Sequence, residues 1–246
     1  MRQEEKGRDV IQGTGKALAL ALGVWTLLFL SCFALLSHMT DVPSISLSGR
    51  PNRERRAVVA IRDPEKPFMQ WGTRLFTWPY LSRHYGRAWL FTQASKEDQK
   101  EAIVAAMNEA LRSCDSLDLF LLAHSNSFHE WVGILDEELR RKKLRMVYNT
   151  GCYNARQGET WLELGAKTYI GHPGNSVSPP FYVFYTRRWV KGSTVRDAFD
   201  EGNALAKRLF DRLERVMPSK IDSDKVWQTS HAILFGAGEM SIGDRP

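Results

Sequence analysis

An α/β fold, with a mostly parallel sheet covered by helices on both faces, is what this sequence predicts, preceded by one N-terminal hydrophobic helix. Three observations carry that expectation. From Ala57 onward, short runs are apolar on both faces, as strands buried in a parallel sheet are. These runs alternate with amphipathic stretches, the pattern that layers helices on both sides of a sheet. Ahead of them, Ala17 to Leu36 forms an uncharged apolar run of 20 residues, whose helical length of roughly 30 Å matches the hydrocarbon thickness of a bilayer.

The chain has 246 residues, 43% of them hydrophobic and 25% charged, a composition that supports a packed core. Its expected organisation is an N-terminal tail over 1–16, a transmembrane helix over 17–38, a linker over 39–56 and one α/β domain over 57–246. The apolar run has no polar face, unlike a buried core helix. A cleaved signal peptide is a competing reading, but Ser37-His38-Met39 is a poor cleavage site. A lipoprotein signal at Leu30-Ser31-Cys32 competes as well, although apolar sequence continues past Cys32. Arg2, Lys6, Arg8 and Lys16 precede the run, which favours a cytoplasmic N-terminus with the domain on the far side. Arg50, Arg53, Arg55 and Arg56 read as a solvated linker, or as a contact for anionic lipid. The net charge of +6 comes without a Lys/Arg block interleaved with aromatics, so no nucleic-acid partner is expected.

The elements follow in order. Ala57–Ile61 is a buried strand and Arg87–Gln93 a second. Ser95–Ser113 is a helix, with Ser95 as its cap, Asp98 at the capping-box position and Ile103, Met107, Ala110 and Leu111 on one face. Leu117–Ala123 is the third strand. His129–Lys143 is a helix whose four basic residues suit its C-terminal end. Leu144–Asn149 is the fourth strand, Glu159–Leu164 a short helix, Lys167–Gly171 the fifth strand, Thr194–Val216 a long helix and His231–Gly236 a last strand. Ser178–Trp189 is aromatic-rich and reads as core packing plus a loop, with a pocket wall as the functional alternative.

In parallel sheets, sites form beyond the carboxyl ends of the strands. The third strand runs out at His124 and the fourth at Gly151-Cys152. If these strands are neighbours, a cysteine and a histidine share one edge, the pairing that makes a thiolate nucleophile and its base. Backbone N–H groups near Cys152 can serve an oxyanion. Cys114 lies before the third strand, at the opposite edge, too far from Cys152 for a disulfide. Cys32 falls within the hydrophobic run.

The order strand, His124, helix, strand, Cys152, followed by a helix, Leu164-Gly165-Ala166-Lys167-Thr168-Tyr169-Ile170-Gly171 and the helix start Gly192-Ser193-Thr194-Val195-Arg196-Asp197-Ala198-Phe199, resembles the caspase-like (clan CD) cysteine peptidases. The nearest in character are gingipain-type and CHAT-type domains. The resemblance covers about Ala57 to Gly238. It implies a three-layer sandwich, a peptide or protein substrate, no cofactor and no catalytic metal. It further implies His124 as general base or acid and Cys152 as nucleophile. The spacing of 28 residues between the two fits one helix plus one strand. The sequence departs from the family pattern at Ser125, where glycine usually follows the histidine, and at Gly151, where alanine often precedes the cysteine.

Around this pair, Ser125, Gly151 and Asn126 are candidates for oxyanion or orienting roles, and His172 and Asn154 for a substrate pocket. Asn126, Ser127 and Asn149 read otherwise as turn residues, and His129 is a rival base. Cys152, His124 and His172 make a zinc set on paper, but no close-spaced ligand pair supports a metal. Gly13-Thr14-Gly15-Lys16 lacks the full P-loop pattern, and Phe235-Gly236-Ala237-Gly238 lacks the dinucleotide fingerprint. The expected activity is that of a membrane-anchored cysteine hydrolase, a peptidase or a broader amide or ester hydrolase. The alternative is a non-catalytic domain on the same fold, serving as a membrane-tethered scaffold or partner-binding module.

Overall fold

The computed structural model describes residues 53–62, 73, 77–93, 99–124 and 126–244. The tail, the expected transmembrane helix, the linker up to residue 52, Ser95, Asp98 and Ser125 lie outside the described residues. Among the described residues no helix is long and apolar enough to cross a membrane.

Among the described residues, six strands form one sheet: β1 (Arg56–Arg62), β2 (Arg87–Thr92), β3 (Ser116–Leu122), β4 (Leu144–Asn149), β5 (Thr168–Gly171) and β6 (Ile233–Gly236). Their order is β2-β1-β3-β4-β5-β6. The first five are parallel and β6 runs antiparallel to β5. Successive strand side chains point to opposite faces, and both faces are apolar here. On one face Val59, Leu119, Val147 and Tyr169 pack under α2 (Lys100–Ser113), α3 (Phe128–Gly133), α4 (Glu137–Lys143) and α5 (Gly158–Glu163). On the other, Val58, Phe120, Tyr148 and Ile170 pack under α1 (Trp78–His84), α6 (Pro179–Lys191), α7 (Val195–Val216) and α8 (Ser223–Ser230). Doubly covered strands are why the apolar runs do not alternate with polar residues.

Several features depart from the sequence expectation, which included neither α1 nor α8. The single helix expected over His129–Lys143 is two helices. Asp136 breaks the pattern by accepting a hydrogen bond from the Leu139 amide at 2.9 Å, so it caps a new helix. The aromatic segment from Ser178 packs into the core as expected, but as one continuous helix with no loop. Pro179 and Pro180 occupy the first turn, where a missing N–H costs nothing, and Gly192, at φ +102°, ends the helix in the left-handed conformation. The first helix after β2 begins at Lys100, with Gln99 ahead of it. Arg56, expected in the linker, opens β1 and is buried, donating to the Ile242 carbonyl. The long helix starts as expected, with the Thr194 hydroxyl accepting from the Asp197 amide at 3.0 Å.

One charged cluster is sealed at the amino end of the sheet. A register shift in the β3–β4 pairing sets Arg145 and Met146 against Asp118, and Arg145 meets Asp118 through Nε–Oδ1 at 2.9 Å and Nη2–Oδ2 at 2.5 Å. Both side chains are fully buried. The Tyr85 hydroxyl donates to Asp118 Oδ2 and accepts from Trp189 Nε1 at 2.9 Å. The remaining guanidinium nitrogen, Nη1, donates to the carbonyls of Ile242 and Asp244 at 2.9 and 2.8 Å. Thus the C-terminal segment closes this end.

Candidate active site

At the carboxyl end the geometry is set by the pairing of β3 and β4. Leu121 stands opposite Asn149, and the Thr150 amide extends the ladder by donating to the Leu121 carbonyl at 2.9 Å. Each chain then leaves its strand in a short loop. His124 lies on the β3 loop and Cys152 on the β4 loop, both partly exposed. The loops touch: a Cβ on Gly151 would fall 2.7 Å from the His124 carbonyl oxygen and 2.0 Å from Asn154 Nδ2. Any side chain at Gly151 would push the loops apart, and this close approach is what glycine permits.

A ring of neutral amides joins the loops. Asn149, fully buried, places its Oδ1 within reach of three donors: the Gly151 amide at 3.1 Å, Asn154 Nδ2 at 2.8 Å and Asn126 Nδ2 at 3.1 Å. Its own Nδ2 donates to Asn126 Oδ1 at 3.3 Å. Asn126 Nδ2 donates as well to the His124 carbonyl at 2.9 Å. Gln157 Nε2 donates to the Asn126 carbonyl at 2.8 Å, while its Oε1 accepts from Trp161 Nε1 at 3.2 Å. Backbone groups and the indole fix the orientations of Asn126, Asn149 and Gln157, and Asn149 in turn fixes that of Asn154. A backbone N–H and an indole only donate and a carbonyl only accepts, so each amide is held the one way round that satisfies all its partners.

The Cys152 thiol donates to Asn175 Oδ1 at 3.2 Å. The next residue, Tyr153, is the one non-glycine residue with positive φ among those described, at +60°, and it is 53% exposed. Its amide donates to the Gly174 carbonyl at 3.0 Å, tying the Cys152 turn to the loop after β5. A bulky residue in the left-handed region costs of order 1–3 kcal/mol, so this turn is held by its surroundings.

The candidate residues therefore divide. His124, Asn126, Gly151 and Cys152 come together on adjoining loops. Ser125 lies outside the described residues. The Gly151 N–H is already committed to Asn149. His172 and Asn154, the candidates for a pocket wall, are fully enclosed. His172 donates from Nδ1 to the Ser230 carbonyl at 2.8 Å and accepts at Nε2 from the Tyr148 hydroxyl at 3.2 Å. Burial pushes its pKa down to about 4, against a smaller upward pull from the Ser230 carbonyl, and it stays neutral. His129 sits in α3 with its ring edge-on to Trp161. Cys114 is buried at the C-terminal cap of α2, just before β3, and neither it nor Cys152 is in a disulfide. Among the described residues no three His, Cys, Asp or Glu side chains are grouped to hold a metal ion. Gln157 and Asn175 carry no motif, so nothing in the sequence singled them out.

Comparison of the chain with family models and with curated proteins gives no match.

Proposed function

We propose that this chain is a membrane-anchored cysteine hydrolase of the caspase-like kind, acting on peptide bonds through His124 and Cys152. One observation carries the reading: the loops bearing these two residues leave adjacent parallel strands and meet, with the His124 carbonyl against Gly151. In the proposed reaction the imidazole of His124 takes the Cys152 thiol proton. The thiolate then attacks the substrate carbonyl carbon, and its C–N bond breaks as the imidazolium returns the proton to the leaving amine. Water, deprotonated by the same imidazole, cleaves the resulting thioester and frees the acid and the thiol. The hydrophobic run at 17–38 anchors the chain, with the N-terminus in the cytoplasm and the catalytic domain on the far side. No metal or cofactor takes part.

The second reading, a non-catalytic scaffold, draws on the contact between the Cys152 thiol and Asn175 Oδ1. That contact ties the sulfur to a neutral side chain on the loop after β5. One experiment separates the two. The full chain is treated with iodoacetamide from pH 4 to 9, and alkylation of Cys152 is followed by mass spectrometry of its own peptide, with and without His124→Ala. A limb of reactivity at low pH that vanishes in the variant is the expected result. A rate that rises only near the ordinary cysteine pKa of about 8.5 and ignores His124 would leave the scaffold standing. Loss of peptide turnover in a folded Cys152→Ala variant is the confirming measurement.

A further inference from the structure

We infer that the reciprocal amide pair Asn126–Asn149 is the positioning device that holds the His124 loop and the Cys152 loop in register, an inference that rests on the His–Cys reading. The two side chains face each other through two hydrogen bonds, Asn126 Nδ2 to Asn149 Oδ1 at 3.1 Å and Asn149 Nδ2 to Asn126 Oδ1 at 3.3 Å. Each is also anchored in its own loop: Asn126 to the His124 carbonyl at 2.9 Å, and Asn149 to the Gly151 amide at 3.1 Å. The path from the backbone of the proposed base to the residue before the proposed nucleophile is thus three hydrogen bonds long and crosses between strands at a single place.

The chemistry of the pair suits that task. An imidazole and a thiol that exchange a proton are sensitive to every nearby charge, and a carboxylate in the link would favour the imidazolium and disfavour the thiolate. Two neutral carboxamides supply the same directional bonding with no net charge. Asn149 is fully buried, so its amide has no water to turn to, and a buried amide is held strongly by the partners it has. Asn154 and Gln157 brace the pair from the side of α5, through Asn154 Nδ2 to Asn149 Oδ1 and Gln157 Nε2 to the Asn126 carbonyl. Asn126 is a positioning residue, since it touches the backbone of His124 and no reacting atom.

Asn126→Ala is the test, because this side chain is only partly buried and its removal spares the fold better than a change at Asn149. Two readouts are taken on the full chain. In the first, amide hydrogen exchange is compared over residues 123–127 and 149–155. A link predicts faster exchange in both loops at once. Faster exchange in 123–127 alone overturns it, whatever Cys152 does. In the second, Cys152 alkylation is followed against pH. The low-pH limb should move up by at least one unit, so that the rate at a fixed pH below the limb drops about tenfold or more toward that of His124→Ala. An unchanged limb beside coupled exchange overturns the positioning role and leaves the hydrolase reading intact. A limb absent from the unaltered chain overturns both. Asn126→Asp keeps the shape but removes the donor to two oxygens. It should loosen both loops as Ala does, and protected exchange in that variant would assign the effect to side-chain volume and overturn the hydrogen-bonded link.

Discussion

The two ends of the β3–β4 pair make opposite use of polar residues. At the amino end, Asp118 and Arg145 form a fully buried ion pair, and Tyr85 and the carbonyls of Ile242 and Asp244 complete their hydrogen bonding. At the carboxyl end, some four strand residues further on, Asn126, Asn149, Asn154 and Gln157 build a network of the same density from neutral amides. The first is shut and holds the fold. The second lies beneath two loops that reach solvent, and holds His124 and Cys152. The contrast has a physical reason. A buried ion pair is strongly held only when both partners are present, which suits a permanent joint. Amides fix geometry without adding a net charge, which suits the proton transfer proposed for this site.

The largest expected effect breaks the closed end. Asp118→Ala leaves the Arg145 guanidinium buried without its counter-ion and should destabilise the domain by about 3–5 kcal/mol, read as a drop in the denaturant midpoint with little change in slope. Replacing both partners, Asp118→Leu with Arg145→Met, should recover most of that loss. In the double variant the pH profile of Cys152 alkylation should match that of the unaltered chain. A shifted profile would mean that the two ends are coupled through β3 and β4, against the separation drawn here.

A smaller effect belongs to His172, just past the carboxyl end of β5. Its folded pKa of about 4 lies below the ordinary histidine value of 6.5, so between those values the unfolded chain binds the extra proton. Stability is then fully present above about pH 6.5, falls as the pH drops, and is lost in full by about pH 4. The size is on the order of 3 kcal/mol, from 1.36 kcal/mol per pKa unit. His172→Gln should flatten unfolding free energy across that window while leaving the His124-dependent limb of Cys152 in place. If the limb disappears, the buried histidine takes part in the site and is more than a support.

The strands were legible because burial on both faces writes them as apolar runs, from Ala57-Val58-Val59-Ala60-Ile61 to Leu144–Asn149. The loops that follow β3 and β4 were legible for the same reason, since a run that stops at Ala123 or Asn149 marks an edge. The break at Asp136 was not, because Gly133-Ile134-Leu135 continues an apolar face through a turn that ends one helix and caps another. Nor was α6, whose aromatics pack all round: Phe181 stacks on Tyr185, and Trp189 reaches Tyr85. The sealed charges were hidden within apolar surroundings, Asp118 inside LDLFLL and Arg145 inside LRMVYN. The amides were hardest to see. Asn149 read as a turn residue and Gln157 as nothing, since a carboxamide has no sequence signature and its role exists only where several converge.

The smallest change sharpens the contrast at the point where the loops meet. Gly151→Ala places a methyl group 2.0 Å from Asn154 Nδ2 and 2.7 Å from the His124 carbonyl. The carbonyl belongs to backbone and cannot swing aside as a side chain tip would, so the loops have to separate. Overpacking of this kind costs about 1–3 kcal/mol, less than losing the buried ion pair, and a chemical denaturation curve should place it in that range. The alkylation profile should respond out of proportion to this cost, losing its dependence on His124 while the domain stays folded. The opposite outcome, a larger loss of stability with the His124 dependence kept, would mean that the contact between the two loops serves the fold, as Asp118 and Arg145 do, and that the carboxyl end is a second structural joint.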